Sequence, residues 1–291
     1  MRWRSPVQNA ANAKGLTGRH ASRLWSAIAP GQRRPAPPLP DGLNSSDAWK
    51  VTHEGRFATW EEAASLARAS SFPVSPEDRR ASLRPSLDDW DGYLKPHEAG
   101  LLAAVMSAMA STHSAQKTVV DFGGGYGVHF LTFLKANLLP CRWDVVELKE
   151  VAEAGAQKWR HNSAIRFIER LDLATPRPDL LIASGVFQSL ADPYAAMRQI
   201  EALEPSFLFI DRLPLTSEDR DLYTVQRIGP AFFGTERTAP YVLFSNRRLT
   251  AELTRAFDIV FRFPGFQDPP REDFHFEALF LRRRIRPEEN A

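Results

Sequence analysis

Cysteine, early acidic residues and long apolar runs are scarce or absent in this sequence of 291 residues. The one cysteine, Cys141, excludes an intrachain disulfide and supplies no cluster of metal ligands, so no bound metal is expected. No apolar run approaches the length of a membrane-spanning helix. The formal net charge is only +2, which gives no general argument for nucleic-acid binding. These absences leave the ordinary globular classes open.

Residues 1–40 differ from the rest because they contain no aspartate or glutamate but seven arginines and lysines, and they end in a proline-rich stretch. Such a segment cannot bury enough apolar surface to order itself, so we expect a disordered basic leader. An arginine-rich, acid-free start is also typical of a transit peptide. A secretory signal is disfavoured because no apolar stretch follows the basic start, and we expect the protein to be cytoplasmic.

Residues 41–95 are predicted to form a small N-terminal cap segment. Thr59 and Glu62 have the spacing of a capping box, which predicts a helix to about residue 69. The segment is too short for a core of its own, so we expect it to pack on the main domain. Its aromatic residues are consistent with packing or with a lid over an acceptor pocket.

The chain is organised around a glycine-rich turn at residues 121–127. Residues 118–122 are predicted to form a buried strand, and an apolar periodic stretch at 128–138 is predicted to form a helix. Asp121, Gly123, Gly125 and Gly127 form the pattern D-x-G-x-G-x-G. The dinucleotide-binding fingerprint requires a small residue where Val128 stands, so that reading is disfavoured. A glycine turn that binds nothing remains an alternative.

A second predicted strand, 142–148, contains the acid Glu147 near its end. An acid there can accept hydrogen bonds from both ribose hydroxyls of a nucleoside cofactor. The alternative is that Glu147 only complements the dipole of the helix predicted at 149–161. The glycine pattern upstream favours the ligand role.

Strands and helices alternate from residue 118 to residue 211, which predicts a doubly wound parallel sheet. Further strands are predicted at 164–170, 179–184 and 207–211, with a helix after the cap residue Asp192. A final pair at 257–261 and 276–281 has a short link and is predicted to be antiparallel. The fold class is α/β, with a Rossmann-like seven-stranded, mostly parallel sheet at 96–284 and a C-terminal tail at 285–291.

The glycine pattern resembles the first motif of class I S-adenosylmethionine-dependent methyltransferases. Over residues 49–282 the chain is also similar to a smaller family of proposed methyltransferases associated with bacterial surface-polysaccharide synthesis. The stretches that carry this similarity are WEEA at 60–63, DFGGG at 121–125, WDVVE at 143–147, QSLADPY at 188–194 and IDRLP at 210–214. The resemblance implies S-adenosyl-L-methionine as cofactor and a sugar or other small-molecule or glycan acceptor.

In such sheets the ligand lies at the carboxyl ends of the strands. That edge would collect the predicted cofactor-binding residues Asp121, Gly123, Gly125, Gly127, Glu147, Asp172, Ser184 and Gln188. Asp172 is predicted to accept from the adenine amino group or, alternatively, to be a solvated loop acid.

Transfer of a methyl group to a hydroxyl benefits from a general base, and Asp211 at the end of the fifth strand is the first candidate. Arg212 is predicted to act beside it, and the alternative is that the two residues pair with each other. His113 and His129 are weaker base candidates. Gln226, Arg227 and Tyr241 are predicted to lie on loops bordering the acceptor, where Arg227 would suit an acidic or phosphorylated one.

Two other function classes stay open. A nicotinamide-dependent oxidoreductase is disfavoured by Val128 and by the lack of a Tyr-x-x-x-Lys pair. A catalytically silent nucleoside-binding partner protein is the other. We expect no specific nucleic-acid partner and no membrane span.

Overall fold

The computed structural model describes residues 51–67, 96–113, 116–135, 141–229, 236–265 and 273–284. All of these residues fall within a single folded unit. The predicted leader and tail, the whole of residues 68–95 and the end of the helix predicted at 128–138 lie outside the described residues.

The described residues form ten strands and six α-helices. The strands are β1 (Val51–Phe57), β2 (Lys117–Phe122), β3 (Cys141–Val146), β4 (Ile165–Ile168), β5 (Leu180–Ser184), β6 (Phe207–Thr216), β7 (Leu222–Ile228), β8 (Arg237–Ser245), β9 (Phe257–Pro264) and β10 (His275–Arg283). The helices are α1 (Trp60–Ala67), α2 (Pro96–Ser111), α3 (Val128–Lys135), α4 (Lys149–Lys158), α5 (Pro193–Ala202) and α6 (Asn246–Leu253).

The central part of the sheet has the strand order β4-β3-β2-β5-β6, with every neighbouring pair parallel. β10 then pairs antiparallel with β6, and β9 pairs antiparallel with β10. These seven strands confirm the predicted α/β fold and the predicted antiparallel final pair. The order reverses between β2 and β5, so the crevice outside their carboxyl ends is the expected ligand position.

Two apolar layers cover the faces of this sheet, as expected for central parallel strands. One layer contains Trp143 and Phe209 under α2 and α3, and the other contains Leu181 and Ile210 under α5 and α6. All four of these side chains are fully buried. Strands packed on both faces hold their carboxyl ends in fixed positions, so the loops that follow them start from a rigid edge.

β6 is longer than predicted, and its extension carries three further strands. It continues to Thr216 instead of ending at Asp211, and its end pairs parallel with β8 at Leu215 and Thr216. β7 pairs antiparallel with β8, and β1 pairs antiparallel with β7. The sheet therefore has ten strands in the described residues instead of the predicted seven.

The prediction that Gln226, Arg227 and Tyr241 lie on loops is wrong. Gln226 and Arg227 lie in β7, and Tyr241 lies in β8 and is buried. The guanidinium of Arg227 bonds to Glu54, with Nε to Oε1 at 2.9 Å, and also to Glu236. Because both bonds go to carboxylates, the structure gives Arg227 a role in joining β1 to β7.

The first described helix has the predicted N-terminal cap. The backbone N–H of Glu62 donates to Thr59 Oγ1 at 3.2 Å, and Thr59 N–H donates back to Glu62 Oε2 at 3.4 Å. This exchange confirms the capping box. Ala63 and Ala67 of α1 pack against Val225, so the helix covers β7.

The division into a leader, a cap segment and a main domain stays a prediction. None of the described helices combines the length and the apolar character that a bilayer crossing requires.

Candidate functional site

The glycine turn lies at the carboxyl end of β2. Gly123, Gly125 and Gly127 have φ values of +74°, +58° and +81°. The N–H of Gly123 donates to the carbonyl of Val146 at 2.9 Å, which ties the start of the turn to the end of β3. Side chains with a Cβ rarely adopt these φ values, so the backbone path explains the spacing of the three glycines.

A Cβ added at each glycine shows which way the turn faces. At Gly124 it would meet the carboxylate of Asp121 at 2.3 Å, and at Gly127 it would meet Ile165 Cδ1 at 2.8 Å. At Gly125 no heavy atom of the described residues lies within 4 Å. Gly125 therefore presents bare backbone outward, while its neighbours pack inward.

Asp121 is fully buried beneath this turn. Its carboxylate accepts from Trp143 Nε1 at 3.3 Å, and His129 Nδ1 lies 3.0 Å from Oδ1. The geometry gives Asp121 a part in holding the turn against β3 and α3. His129 is engaged in the same contact, which leaves its base role without support from the structure.

Glu147 is the acid that follows β3, and the structure brings it to the glycine turn. Its Oε1 accepts the backbone N–H of Gly125 at 3.1 Å, and its Oε2 accepts the N–H of Leu148 at 2.8 Å. The residue is half-buried. A carboxylate therefore lies beside the one glycine of the turn that presents bare backbone outward.

Asp172 lies on a short 3-10 turn, Leu171–Leu173, that follows β4. It is exposed and paired with Arg170, whose Nε donates to Oδ1 at 2.9 Å. This bond lowers the pKa of Asp172 from its usual value. Its predicted contact with adenine stays a prediction, because its observed partner is Arg170.

The loop after β5 lies against the glycine turn. A Cβ on Gly123 would meet Val186 Cγ2 at 2.8 Å, so Val186 packs directly on that glycine. Gln188, on the short 3-10 turn Phe187–Ser189, is 5% exposed. Its Oε1 is buried and has no hydrogen-bond partner among the described residues. A buried amide oxygen without a donor is costly, and it fits a site completed by a ligand.

Asp211 and Arg212 lie in the middle of β6, at the same edge of the sheet as Ser184. Asp211 is buried, and its Oδ1 accepts the backbone N–H of Arg212 at 2.6 Å. The guanidinium of Arg212 bonds to Ser184, with Nη2 to the carbonyl oxygen at 2.8 Å. Ser184 Oγ also lies 3.4 Å from Asp211 Oδ2 and 3.1 Å from Arg212 Nη2, so the serine stands between the two side chains.

Of the predicted alternative, a pair between Asp211 and Arg212, the structure shows only the backbone contact: the Asp211 carboxylate accepts the Arg212 N–H, while the guanidinium bonds to Ser184. His113 is an exposed residue between the end of α2 and the start of β2. It therefore lies toward the amino end of β2, away from the edge that carries the glycine turn.

Sequence reasoning missed two features of this site. The contacts of Trp143 and His129 with Asp121 join residues 22 and 8 positions apart, respectively, which no local pattern reveals. Arg212 has a φ of +58°, a left-handed conformation that no glycine or asparagine marked in the sequence. No group of acidic, histidine or cysteine side chains in the described part of the chain is arranged to bind a metal.

Comparisons with known proteins find similarity among solved structures alone. No protein-family model matches the chain, and no curated protein matches it. Among solved structures it is similar to human N-acetylserotonin methyltransferase in complex with SAM, with a TM-score of 0.48 and 15% identity over 72% of this chain and 57% of that chain.

Two further solved structures are similar over nearly their whole length. The N-terminal domain of EvdMO1 with SAH bound has a TM-score of 0.46 and 13% identity, covering 72% of this chain and 96% of that one. The CcbJ methyltransferase from Streptomyces caelestis has a TM-score of 0.45 and 16% identity, covering 73% and 100%.

Proposed function

We propose that the chain is an S-adenosyl-L-methionine-dependent methyltransferase acting on a hydroxyl of a sugar or another small-molecule or glycan acceptor. The observation that carries the proposal is the pairing of Gly125 with Glu147 at the switch point of the sheet. Outward-facing backbone and an adjacent carboxylate are what a nucleoside ligand needs at this position.

The residues at this edge fit that cofactor. The carboxylate of Glu147 would accept from the ribose hydroxyls, and Gly125 leaves room for the ligand beside it. The buried Oε1 of Gln188 needs a hydrogen-bond donor, and the ammonium group of the methionine part is one. Asp121 supports the turn from beneath.

When bound, the cofactor supplies an activated methyl group on a sulfonium, so the protein mainly has to align the acceptor oxygen with it. The rigid edge formed by β2, β5 and β6 performs that alignment. Asp211 remains our candidate for a general base. Its observed bonds to Arg212 N–H and Ser184 also suit a residue that positions others, and the two roles differ in how turnover responds to substitution.

The association with surface-polysaccharide synthesis and the cytoplasmic location are part of the same proposal. The surface-polysaccharide association is supported by the resemblance over residues 49–282 described above, and the cytoplasmic location is carried over as an expectation. Under this proposal the acceptor is a precursor of a surface glycan.

Calorimetry with adenosylhomocysteine and, separately, with NAD⁺ tests the cofactor. We expect adenosylhomocysteine to bind and NAD⁺ not to bind. Glu147→Gln should weaken adenosylhomocysteine binding by about 1.5–3 kcal/mol, the usual value of hydrogen bonds to a charged group. Glu150→Gln is the matched control, because Glu150 is an exposed acid in the first turn of α4 and shares only the helix-dipole role.

Equal losses of adenosylhomocysteine affinity in Glu147→Gln and Glu150→Gln would mean that Glu147 acts only through the helix dipole. Binding of NAD⁺ in place of adenosylhomocysteine would replace the proposal with an oxidoreductase. Transfer of isotope from methyl-labelled cofactor to a glycan extract separates a methyltransferase from a silent binding protein. If the cofactor binds but no label is transferred to any acceptor, the enzymatic part of the proposal fails.

A further inference from the structure

β6 contains a bulge at the edge where the ligand is expected. Against β10, Glu277 pairs with Leu213 and Leu279 pairs with Ile210, so Asp211 and Arg212 together face one residue of β10. Arg212 has a φ of +58°, a conformation that costs a residue with a Cβ about 1–2 kcal/mol. Bulges of this kind redirect a side chain, and such strain persists where the surrounding structure imposes it.

The surrounding contacts fix where the Arg212 side chain points. Nε lies 3.3 Å from Ser184 Oγ, and Nη2 donates to the Ser184 carbonyl oxygen. A Cβ on Gly185 would meet the guanidinium carbon at 2.6 Å, so the guanidinium lies directly on this glycine and a larger residue would displace it. Gly185 itself has a φ of +67°. The positive φ values of Arg212 and Gly185 thus together determine where the Arg212 guanidinium lies.

Continuous contacts connect this cation to the cofactor turn. The guanidinium lies on Gly185, and the next residue, Val186, packs on Gly123. Arg212 is therefore connected to the glycine turn through Gly185 and Val186, and it is half-buried.

The charge of Arg212 has no direct counter-ion in the described part of the chain. The guanidinium bonds only to the uncharged hydroxyl and carbonyl of Ser184 among the described residues, and no carboxylate oxygen of these residues lies within 4.0 Å of its nitrogens. Nη1 makes no hydrogen bond to these residues. A planar guanidinium with an unused edge is suited to binding a carboxylate or a phosphate.

We propose that Arg212 binds an anionic group, a carboxylate or a phosphate, on the methyl acceptor. This rests on the proposed function for the identity of the site. Besides its candidate role as the general base, Asp211 holds the bulge through the bond from Arg212 N–H to its carboxylate, and Ser184 is a positioning residue that holds the guanidinium. The proposed acceptor is therefore a sugar acid or a sugar phosphate.

Phenylglyoxal, which modifies accessible arginines, tests this in the full-length protein saturated with adenosylhomocysteine. Peptide mass spectrometry gives the modification rate of Arg212. We expect inorganic phosphate to slow it at least tenfold and saturably, relative to chloride at equal ionic strength. Arg227, already bonded to Glu54 and Glu236, is the internal control whose rate should not respond. The same modification assay with glucose 6-phosphate and with glucuronate shows whether a sugar phosphate or a sugar acid protects Arg212. Glucose, which has no anionic group, should give no protection.

Three results would overturn the proposal. Equal rates in phosphate and chloride would show that no anion binds there. If Arg212 is modified in ligand-free protein and adenosylhomocysteine without phosphate abolishes that modification, Arg212 binds the carboxylate of the cofactor. An Arg212 that is unreactive in every condition would not be reachable by an acceptor.

A second measurement uses thermal melts of wild type, Arg212→Gln and the matched variant Arg227→Gln. The phosphate-dependent rise in Tm should vanish in Arg212→Gln and persist in Arg227→Gln, and an equal rise in all three proteins would also contradict the proposal. The calorimetric titration with adenosylhomocysteine tests the proposed function independently of anion binding. Its failure removes the proposed function, whereas an absence of anion binding in protein that does bind adenosylhomocysteine removes only this inference.

Discussion

Adjacent glycines in the turn after β2 have different physical requirements. Gly124 has no room for a Cβ because the buried carboxylate of Asp121 lies against it. Gly125 has room in the described structure but needs a positive φ. A substitution at the first position therefore disturbs packing, and one at the second occupies the space proposed for the ligand.

This difference predicts that Gly124→Ala affects stability and that Gly125→Asn affects ligand binding. Gly124→Ala should lower the free energy of unfolding by about 1–3 kcal/mol, as overpacking does. Gly125→Asn should keep the fold, because asparagine tolerates a left-handed backbone, and should weaken adenosylhomocysteine binding at least tenfold, about 1.4 kcal/mol. Urea denaturation and calorimetry on both variants measure the two quantities. A Gly125→Asn protein that is stable and binds normally would place the cofactor elsewhere.

At this scale the sequence predicted the position of Glu147 well, because an acid after a second strand reaches the turn after the first through the parallel pairing of the strands. It did not predict the partners of Asp121. Those contacts depend on Trp143 and His129 converging from β3 and α3, which only the packed structure shows.

At the level of elements, the bulge in β6 links strain to the proposed acceptor site. Arg212→Gly and Arg212→Ala both remove the guanidinium and its bonds to Ser184. Only glycine adopts a φ of +58° without a steric penalty.

We therefore expect Arg212→Gly to be more stable than Arg212→Ala by about 1 kcal/mol, which urea denaturation resolves if the m-values agree. The order should hold although glycine costs more backbone entropy on folding. An alanine variant equal to or more stable than the glycine variant would mean that the bulge relaxes when the arginine is removed.

The sequence predicted the parallel core strands because each is a short apolar run followed by turn residues. It failed beyond Asp211 for two reasons. The extension of β6 continues through Pro214, which lies opposite Phe276 of β10. β8 contains Pro240, which pairs with Val225 of β7, while β6 pairs with β8 only at Phe244 and Ser245. Proline is tolerated where a strand has a free edge. Pro214 and Pro240 therefore lie inside strands, although proline in a sequence argues against a strand.

Across the whole molecule, a buried carboxylate on β3 connects the sheet to the loop after β4. Asp144 has no exposed surface and accepts from Arg166 Nη2 at 2.6 Å and from Thr175 Oγ1 at 2.7 Å. Burial by itself raises the pKa of Asp144, but the bonds from Arg166 and Thr175 outweigh it, and the pKa lies below its usual value.

A lowered carboxyl pKa contributes stability above the pKa of the unfolded chain, and that contribution is lost as pH falls through the folded value. We expect Asp144→Asn to cost about 2–4 kcal/mol at pH 7 and clearly less at pH 3, below the ordinary pKa of aspartate of about 4. Urea denaturation at both pH values measures the difference. Asp258→Asn, which removes a half-exposed carboxylate paired with Arg284, is the control and should change little at either pH. A cost for Asp144→Asn that does not depend on pH would mean that the carboxylate contributes through shape rather than charge.

The one cysteine of the chain allows global stability to be measured without introducing a probe. Cys141 begins β3, pairs in register with Lys117 of β2 and is 5% exposed. Burial, followed by the charge of Asp179, raises the pKa of its thiol to about 12. The reactive thiolate is therefore scarce at pH 8, and the sulfur is inaccessible in the folded state.

We expect a thiol reagent at pH 8 to label native protein at least about 10³-fold more slowly than urea-unfolded protein, because labelling must wait for unfolding. Adding urea should speed labelling in proportion to the unfolded fraction measured by circular dichroism. Adenosylhomocysteine should slow it further, since a ligand that binds only the folded state stabilises it. Fast labelling without urea, in protein with an unchanged circular dichroism spectrum, would instead show that the start of β3 opens locally while the rest of the sheet remains folded.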